Sequence, residues 1–340
     1  MDLTTAEIEK IKEILGFPKY IVTVTHRNPD GDAIGSSLGI RHFLESLGHT
    51  VKVILPSEYP TTFHYLKGVD DCMVYDNQPK ACAEEILKAD IIFCLDFNGL
   101  DRVDKIGPHI LESKALKILI DHHLDPEPFA DHVISDTAAS STCELVHHFI
   151  NDLGHLDKID EHCGDALFTG LITDTGSFRY STRPQTYEVA ARLKEAKVDD
   201  YKLNDYIYNN QSAKQLKLLG HCLANRMELI PEFAAGIIHL TKEDYKDFDI
   251  RRGDTEGVVN YLLMINGIEV AAFIREQPTI VKLSLRSKGD ISVQEICRNH
   301  FNGGGHKNAS GGAAYAKLED IINRFKSVLP KYVQKRAVPS

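Results

Sequence analysis

Histidines and aspartates fall in this chain at spacings suited to holding divalent metal. His26-Arg27-Asn28-Pro29-Asp30-Gly31-Asp32 gathers one imidazole and two carboxylates, Asp96 and the triplet Asp121-His122-His123 follow apolar runs, and Asp174 comes after Leu171-Ile172-Thr173. A mixed set of imidazoles and carboxylates suits manganese better than calcium, which prefers all-oxygen shells, and better than thiolate-rich structural zinc. Two such ions about 3.5 to 4 Å apart can clamp the attacking and leaving oxygens of a phosphoryl displacement and acidify a bridging water. Each piece also has a plainer explanation. Asp-Gly is a turn signal, an aspartate after a strand can cap the next helix, and a histidine pair can be surface decoration, as His147-His148 on an expected helix is read to be. Their recurrence at equivalent places is what argues for a site.

Those places are strand ends. Short β-branched runs at Tyr20 to Thr25, Val51 to Leu55, Ile91 to Asp96 and Leu116 to Asp121 alternate with helical patterns, which predicts a mostly parallel sheet flanked by helices. Between the first two runs, Ala33 to Leu47 carries Ile34, Leu38, Phe43, Leu44 and Leu47 at helical spacing and ends at Gly48. Open α/β sheets bind ligands outside the carboxyl ends of their strands. Asp174 is placed by the same logic at a strand end, so that the acidic groups converge on one rim.

The length of 340 residues exceeds the usual reach of one hydrophobic core. After Thr182 the texture becomes polar and helical, and new strand candidates follow at Ala234 to Leu240, Ile268 to Arg275 and Ile280 to Arg286. The expected α/β architecture is a metal-binding domain over 1–185, a helical linker over 186–215 and a smaller α/β domain over 216–340, with the active site in the cleft between them. Lys331 to Ser340 reads as a frayed tail.

Charge and composition limit the partners. A formal charge of −10 speaks against a protein that grips long nucleic acid through a broad basic face. No stretch approaches the roughly 18 apolar residues of a membrane span, and Met1 to Glu13 reads as a charged amphipathic helix rather than a signal peptide. The seven cysteines form no C-x-x-C pair and read as reduced thiols. A cytoplasmic protein without membrane partners is expected.

His26 to Asp32, Asp96, Asp121-His122-His123 and Asp174 resemble the four motifs of the DHH phosphoesterases. Phe301 to Gly312, with Gly303-Gly304-Gly305-His306 at its centre, resembles the glycine-rich motif of the DHHA1 domain. The resemblance implies one metal held by His26, Asp30 and Asp96 and a second by Asp32, Asp96, His122 and Asp174, with Asp96 bridging. The cofactor it implies is a pair of divalent ions, manganese first, with magnesium or cobalt as alternatives. Asp121 would orient its neighbouring imidazole, and His123 would donate to a phosphate oxygen or protonate the leaving group. Arg286, His306 and the backbone of Gly303, Gly304 and Gly305 would bind substrate phosphate or base, the glycines as an anion-binding nest, with Arg179 a further candidate. One departure is Phe97, where the family often has a small residue.

Within that family the two-domain arrangement resembles the bacterial nanoRNases that also remove the 3′-phosphate from pAp, adenosine 3′,5′-bisphosphate. Short oligonucleotides or nucleotide phosphates are then the expected partners, and a homodimer is compatible with the pattern. Phosphodiesterases acting on cyclic dinucleotides are the nearest rival. A non-catalytic nucleotide- or RNA-binding module is the alternative from another class, and a full set of metal ligands argues against it.

Overall fold

The computed structural model describes residues 4–251 and 253–335. The chain divides into two compact units, one running to Asn210 and the other from Gln211. Of the tail read as frayed, residues 336–340 lie outside the described residues, as do residues 1–3 of the stretch read as an amino-terminal helix. That helix is α1 (Thr5–Leu15), closed at its start by a Thr4–Glu7 capping box.

The first unit is built on six strands: β1 (Tyr20–Thr25), β2 (Thr50–Leu55), β3 (Met73–Val74), β4 (Ile91–Leu95), β5 (Leu116–Asp121) and β6 (His132–Ser135). Their spatial order is β3-β2-β1-β4-β5-β6, and every pairing is parallel. The helices between and after them are α2 (Gly31–Ser46), α3 (Pro79–Lys88), α4 (Gly107–Glu112), α5 (Thr142–Asp152), α6 (Glu161–Thr175), α7 (Pro184–Glu195) and α8 (Asp200–Tyr208). Alternate strand residues go to opposite faces, as the pleat requires. Ile21, Phe93, Leu95, Ile118 and Ile120 pack with residues of α2, α5 and α6, while Val22, Val24, Ile92, Cys94 and Leu119 pack with residues of α3 and α4. Strand order reverses between β1 and β4, and such a switch point is where an open α/β sheet forms its crevice.

The second unit holds α9 (Ala213–Asn225), β7 (Met227–Ile230), β8 (Ala235–Leu240), α10 (Lys242–Asp247), α11 (Val258–Leu262), β9 (Val270–Glu276), β10 (Val281–Ser287), α12 (Val293–His300), β11 (Gly304–His306), β12 (Ala309–Ala314) and α13 (Leu318–Val328). Its sheet runs β11-β12-β10-β9-β8-β7, with only the β8–β9 pairing parallel. Residues of α12 and α13 bury one face of this sheet, and residues of α9 and α11 cover β8 and β9 on the other. Among the described residues, no helix is long and apolar enough to cross a membrane.

The structure departs from the sequence reading in several places. Asp174 lies in the last turn of α6, not at a strand end. The Leu171-Ile172 run looked like a strand because α6 is buried on most of its circumference, which removes the helical period. His147 is buried rather than surface decoration, and only His148 beside it is half-buried. Gly304 and Gly305 of the glycine run lie in β11, paired with β12. Phe97 fills a fully buried position stacked against Phe129, so it is accommodated away from solvent.

Candidate active site

The sheet delivers the first groups directly. β1 ends at Thr25 and His26 follows; β4 ends at Leu95 and Asp96 follows, so the two flank the switch point. Asp96 adopts a left-handed backbone conformation, φ 63°, which turns the chain sharply as it leaves the strand. Asp30 caps α2, its Oδ1 accepting from the N–H groups of Asp32 and Ala33. That puts Asp32 in the first turn of the helix, facing inward and fully buried.

α2 and α6 approach closely, and this brings Asp32 to Asp174. A Cβ on Gly170 would stand 2.5 Å from Asp32 Oδ1, so only glycine leaves room for the carboxylate. The amino end of α5 supplies the remaining support. Thr142 N–H donates to Asp32 Oδ2 at 2.6 Å and Cys143 N–H to Asp32 Oδ1 at 2.9 Å, while Thr142 Oγ1 donates to Asp96 Oδ1 at 3.0 Å. A helix N-terminus, with its unsatisfied N–H groups, thus holds a buried carboxylate in one orientation.

Six expected ligands converge. His26 Nε2 lies 3.3 Å from Asp96 Oδ2 and 3.8 Å from Asp30 Oδ1. His122 Nε2 lies 3.3 Å from Asp174 Oδ2, 3.5 Å from Asp96 Oδ1 and 3.7 Å from Asp32 Oδ2. Among the described residues the first unit holds three candidate metal-holding groups, His26 with Asp30 and Asp96, Asp32 with His122 and Asp174, and Asp96 with Asp121 and His123, each with its ligand atoms within 4.8 Å of one another. His26 Nδ1 is 3.0 Å from the Arg27 carbonyl and His122 Nδ1 is 3.4 Å from the Ala139 carbonyl, contacts that leave both Nε2 atoms aimed inward.

Asp121 contacts the second histidine of the triplet. Its Oδ1 is 2.7 Å from Nδ1 of His123, whose Nε2 lies 3.4 Å from Nη2 of Arg102. Sequence reasoning missed Arg102, Thr142 and Cys143. The run Ser140-Ser141-Thr142 ahead of an apolar helical pattern was the legible signal for a helix start there, and Ser141 is its cap.

The electrostatics explain what the cluster needs. Burial and the Asp96 charge push Asp32 up to about 7, and burial with the Asp32 charge holds Asp174 well above the usual carboxylate range. Burial works against Asp96 and His26 carrying charge, but their mutual hydrogen bond, with His122 also beside Asp96, wins: Asp96 falls well below the ordinary range and His26 rises to about 9. Burial likewise opposes a charge on His122, and its carboxylate neighbours reverse the balance and raise it. Carboxylates crowded until some prefer their protons form an environment that a divalent cation relieves. The donor set of imidazole nitrogens and carboxylate oxygens fits such an ion.

In the second unit, Arg286 and His306 share one sheet face. The β10–β12 and β11–β12 registers set both opposite Ala309. Gly303 N–H already donates to the Cys297 carbonyl, and a side chain at Gly303 would collide with the Gly311 backbone. Gly303 and Gly305 therefore have a packing reason of their own, whereas a Cβ on Gly304 would meet nothing. Arg179 Nε donates to the Gly176 carbonyl.

The model of the DHH family, N-terminal domain, matches residues 20–171, and that of the DHHA1 domain matches residues 234–331. A crystal structure of an exopolyphosphatase-related protein from Bacteroides fragilis superposes with a TM-score of 0.93 at 38% identity, covering 97% of each chain. The chain belongs to the DHH/DHHA1 family. The bifunctional oligoribonuclease and PAP phosphatase NrnA of Thermus thermophilus is 29% identical over 94% of this DHH/DHHA1 chain and 90% of its own length. The cyclic-di-AMP phosphodiesterase PdeA of Listeria monocytogenes is 23% identical over 88% of this chain but only 45% of its own length.

Proposed function

We propose that this chain is a metal-dependent phosphoesterase that hydrolyses short oligoribonucleotides and removes the 3′-phosphate of pAp. The observation that carries the reading is Asp96, which turns Oδ2 toward His26 and Oδ1 toward His122 and so stands between the group of His26 and that of His122. In this reading His26, Asp30 and Asp96 hold one ion and Asp32, Asp96, His122 and Asp174 the other, with manganese the ion best matched to the donors. Such ions supply Lewis-acid polarisation of a phosphoryl oxygen and a more acidic water.

The side chains do the rest. Asp121 Oδ1 holds the Nδ1 side of His123, which leaves Nε2 to meet a phosphate oxygen or the leaving oxygen of the substrate. Arg102 Nη2, beside that nitrogen, would offer positive charge to the same phosphate. Arg286, His306 and the backbone of Gly304 and Gly305 are assigned to the substrate's phosphate or base, with Arg179 a further contact, while the Gly303 N–H is taken by the Cys297 carbonyl. Length coverage favours the NrnA-like assignment over the cyclic-di-AMP enzyme, because this chain spans 90% of the first relative and under half of the second. Seven cysteines free of disulfides, six of them buried and Cys72 half-buried, accord with a reducing compartment such as the cytoplasm.

The deciding experiment is manganese-dependent product release from pAp, linear diadenylate and cyclic di-AMP in parallel. Turnover of the first two alone supports the proposal. Turnover of the cyclic dinucleotide transfers the chain to the signalling phosphodiesterases, and metal-independent inertness toward all three leaves a binding module.

A further inference from the structure

The second unit's sheet has a half-open face. Phe273 and Ala271 of β9 pack there beneath residues of α9 and α11, and β10 contributes Lys282, Ser284 and Arg286 to the same face while Val281, Leu283 and Leu285 are buried on the other. Lys282 is exposed, and Ser284 and Arg286 are half-buried. Alternate residues of a strand stand about 6.7 Å apart, comparable with the step between neighbouring phosphates of a nucleic-acid strand. The next strand opposes them with Ala313, Gly311 and Ala309, side chains too small to wall off the row.

Arg275 joins this row opposite Lys282. Its guanidinium lies 5.1 Å from the centre of the Phe273 ring, with Nη1 donating to Thr255 Oγ1 at 3.2 Å and Nη2 to Ser284 Oγ at 3.1 Å. Two of its five donors are thereby used to fix the group, and its buried Nε has no hydrogen-bond partner. Among the described residues, no ion pair involves Arg275, Lys282 or Arg286, in a chain of net charge −10. Cations kept in a line and away from carboxylates suit a polyanion.

We propose that Arg275, Lys282 and Ser284, continuing from Arg286, form a second phosphate position that engages the backbone of oligonucleotides longer than a dinucleotide. The inference deepens the proposed function and rests on it for the substrate class. It makes the second unit the part that sets chain-length preference: a strand long enough to occupy the row gains from Lys282 and Arg275, whereas pAp, with one nucleoside, does not.

The test compares wild type, Lys282→Ala, Lys282→Arg and Arg275→Gln. Two quantities are measured: kcat/KM for 5′-phosphorylated pentaadenylate and for pAp, and anisotropy of labelled pentaadenylate on metal-depleted protein over a salt series. The pentaadenylate-to-pAp specificity ratio should fall about tenfold in Lys282→Ala, chiefly through KM, and recover in Lys282→Arg, while the salt slope of binding drops by about one. An unchanged ratio, or equal losses on both substrates, overturns the row. If wild type turns over neither substrate yet binds pentaadenylate through Lys282, the phosphoesterase reading fails and the row stands. Binding indifferent to Lys282 and Arg275 overturns the row whatever the activity.

Discussion

Asp32 accepts the backbone N–H of Thr142 at 2.6 Å, so a candidate metal ligand on α2 is at the same time an external cap of α5. Because Thr142 also gives its hydroxyl to Asp96, one residue fixes carboxylates from both groups. Valine at 142 keeps the amide and loses only the hydroxyl. Thr142→Val should weaken manganese binding about tenfold, the usual scale for groups that orient ligands, with turnover largely restored at saturating manganese. Calorimetric titration beside a manganese activation curve checks both parts.

Asp174 bears the cost of crowding, since burial and Asp32 keep its carboxyl above the usual range. Asp174→Asn removes one like charge, and the metal-free protein should be as stable as wild type or more so. Manganese at about a hundred times Kd should stabilise wild type by about 2.7 kcal/mol, and this gain should shrink in the variant along with its turnover. Thermal unfolding with manganese and with chelator reads the difference. A manganese-induced gain equal to wild type would remove Asp174 from the ligand set.

Asp121 touches His123 but belongs to neither ligand group of the proposal. Asp121→Asn should therefore lower kcat by about a hundredfold or more, the range for losing a positioned proton donor, and leave manganese affinity close to wild type. A parallel fall in affinity would make Asp121 part of the metal site itself.

His147 offers a stability measurement apart from the chemistry. Burial, with positive charge from His148 and Arg192 nearby, lowers its pKa from 6.5 to about 4, and neither ring nitrogen has a hydrogen-bond partner. The unfolded chain takes up this proton first, so the contribution is intact above pH 6.5 and is lost as pH falls toward 4, up to about 3 kcal/mol. Urea midpoints at pH 7 and pH 5 should differ in wild type and converge in His147→Leu. Glu144 acts in a lower window. Burial opposes its charge, but hydrogen bonds from Ser140, Thr186 and Arg183 bring it from 4.5 to about 2, so its contribution is present above pH 4.5 and fades below.

Much of this was legible in the sequence, for reasons that differ by element. β1, β4 and β5 are apolar runs bounded by polar turns, and their sequence alone points to the groups that end them. β3 has two residues, β6 begins with a histidine, and β11 and β12 are mostly glycine and alanine, so none carries an alternating pattern. The Asp32 support was invisible for another reason: it is made by backbone N–H groups of Thr142 and Cys143, which every residue but proline possesses. Close packing of α2 on α6 does leave a trace in the sequence, in Gly31, Gly35 and Gly39 spaced one turn apart.

The six ligand candidates are drawn from positions 26 to 174 and from both sides of the point where strand order reverses. No short stretch of chain holds either group complete, and contacts between residues far apart in sequence form later than local helical ones. Metal capacity therefore reports on the whole parallel sheet being assembled: during refolding, manganese uptake should trail the return of helical signal, and a nascent chain released before α6 would carry three of the four motifs without a finished site.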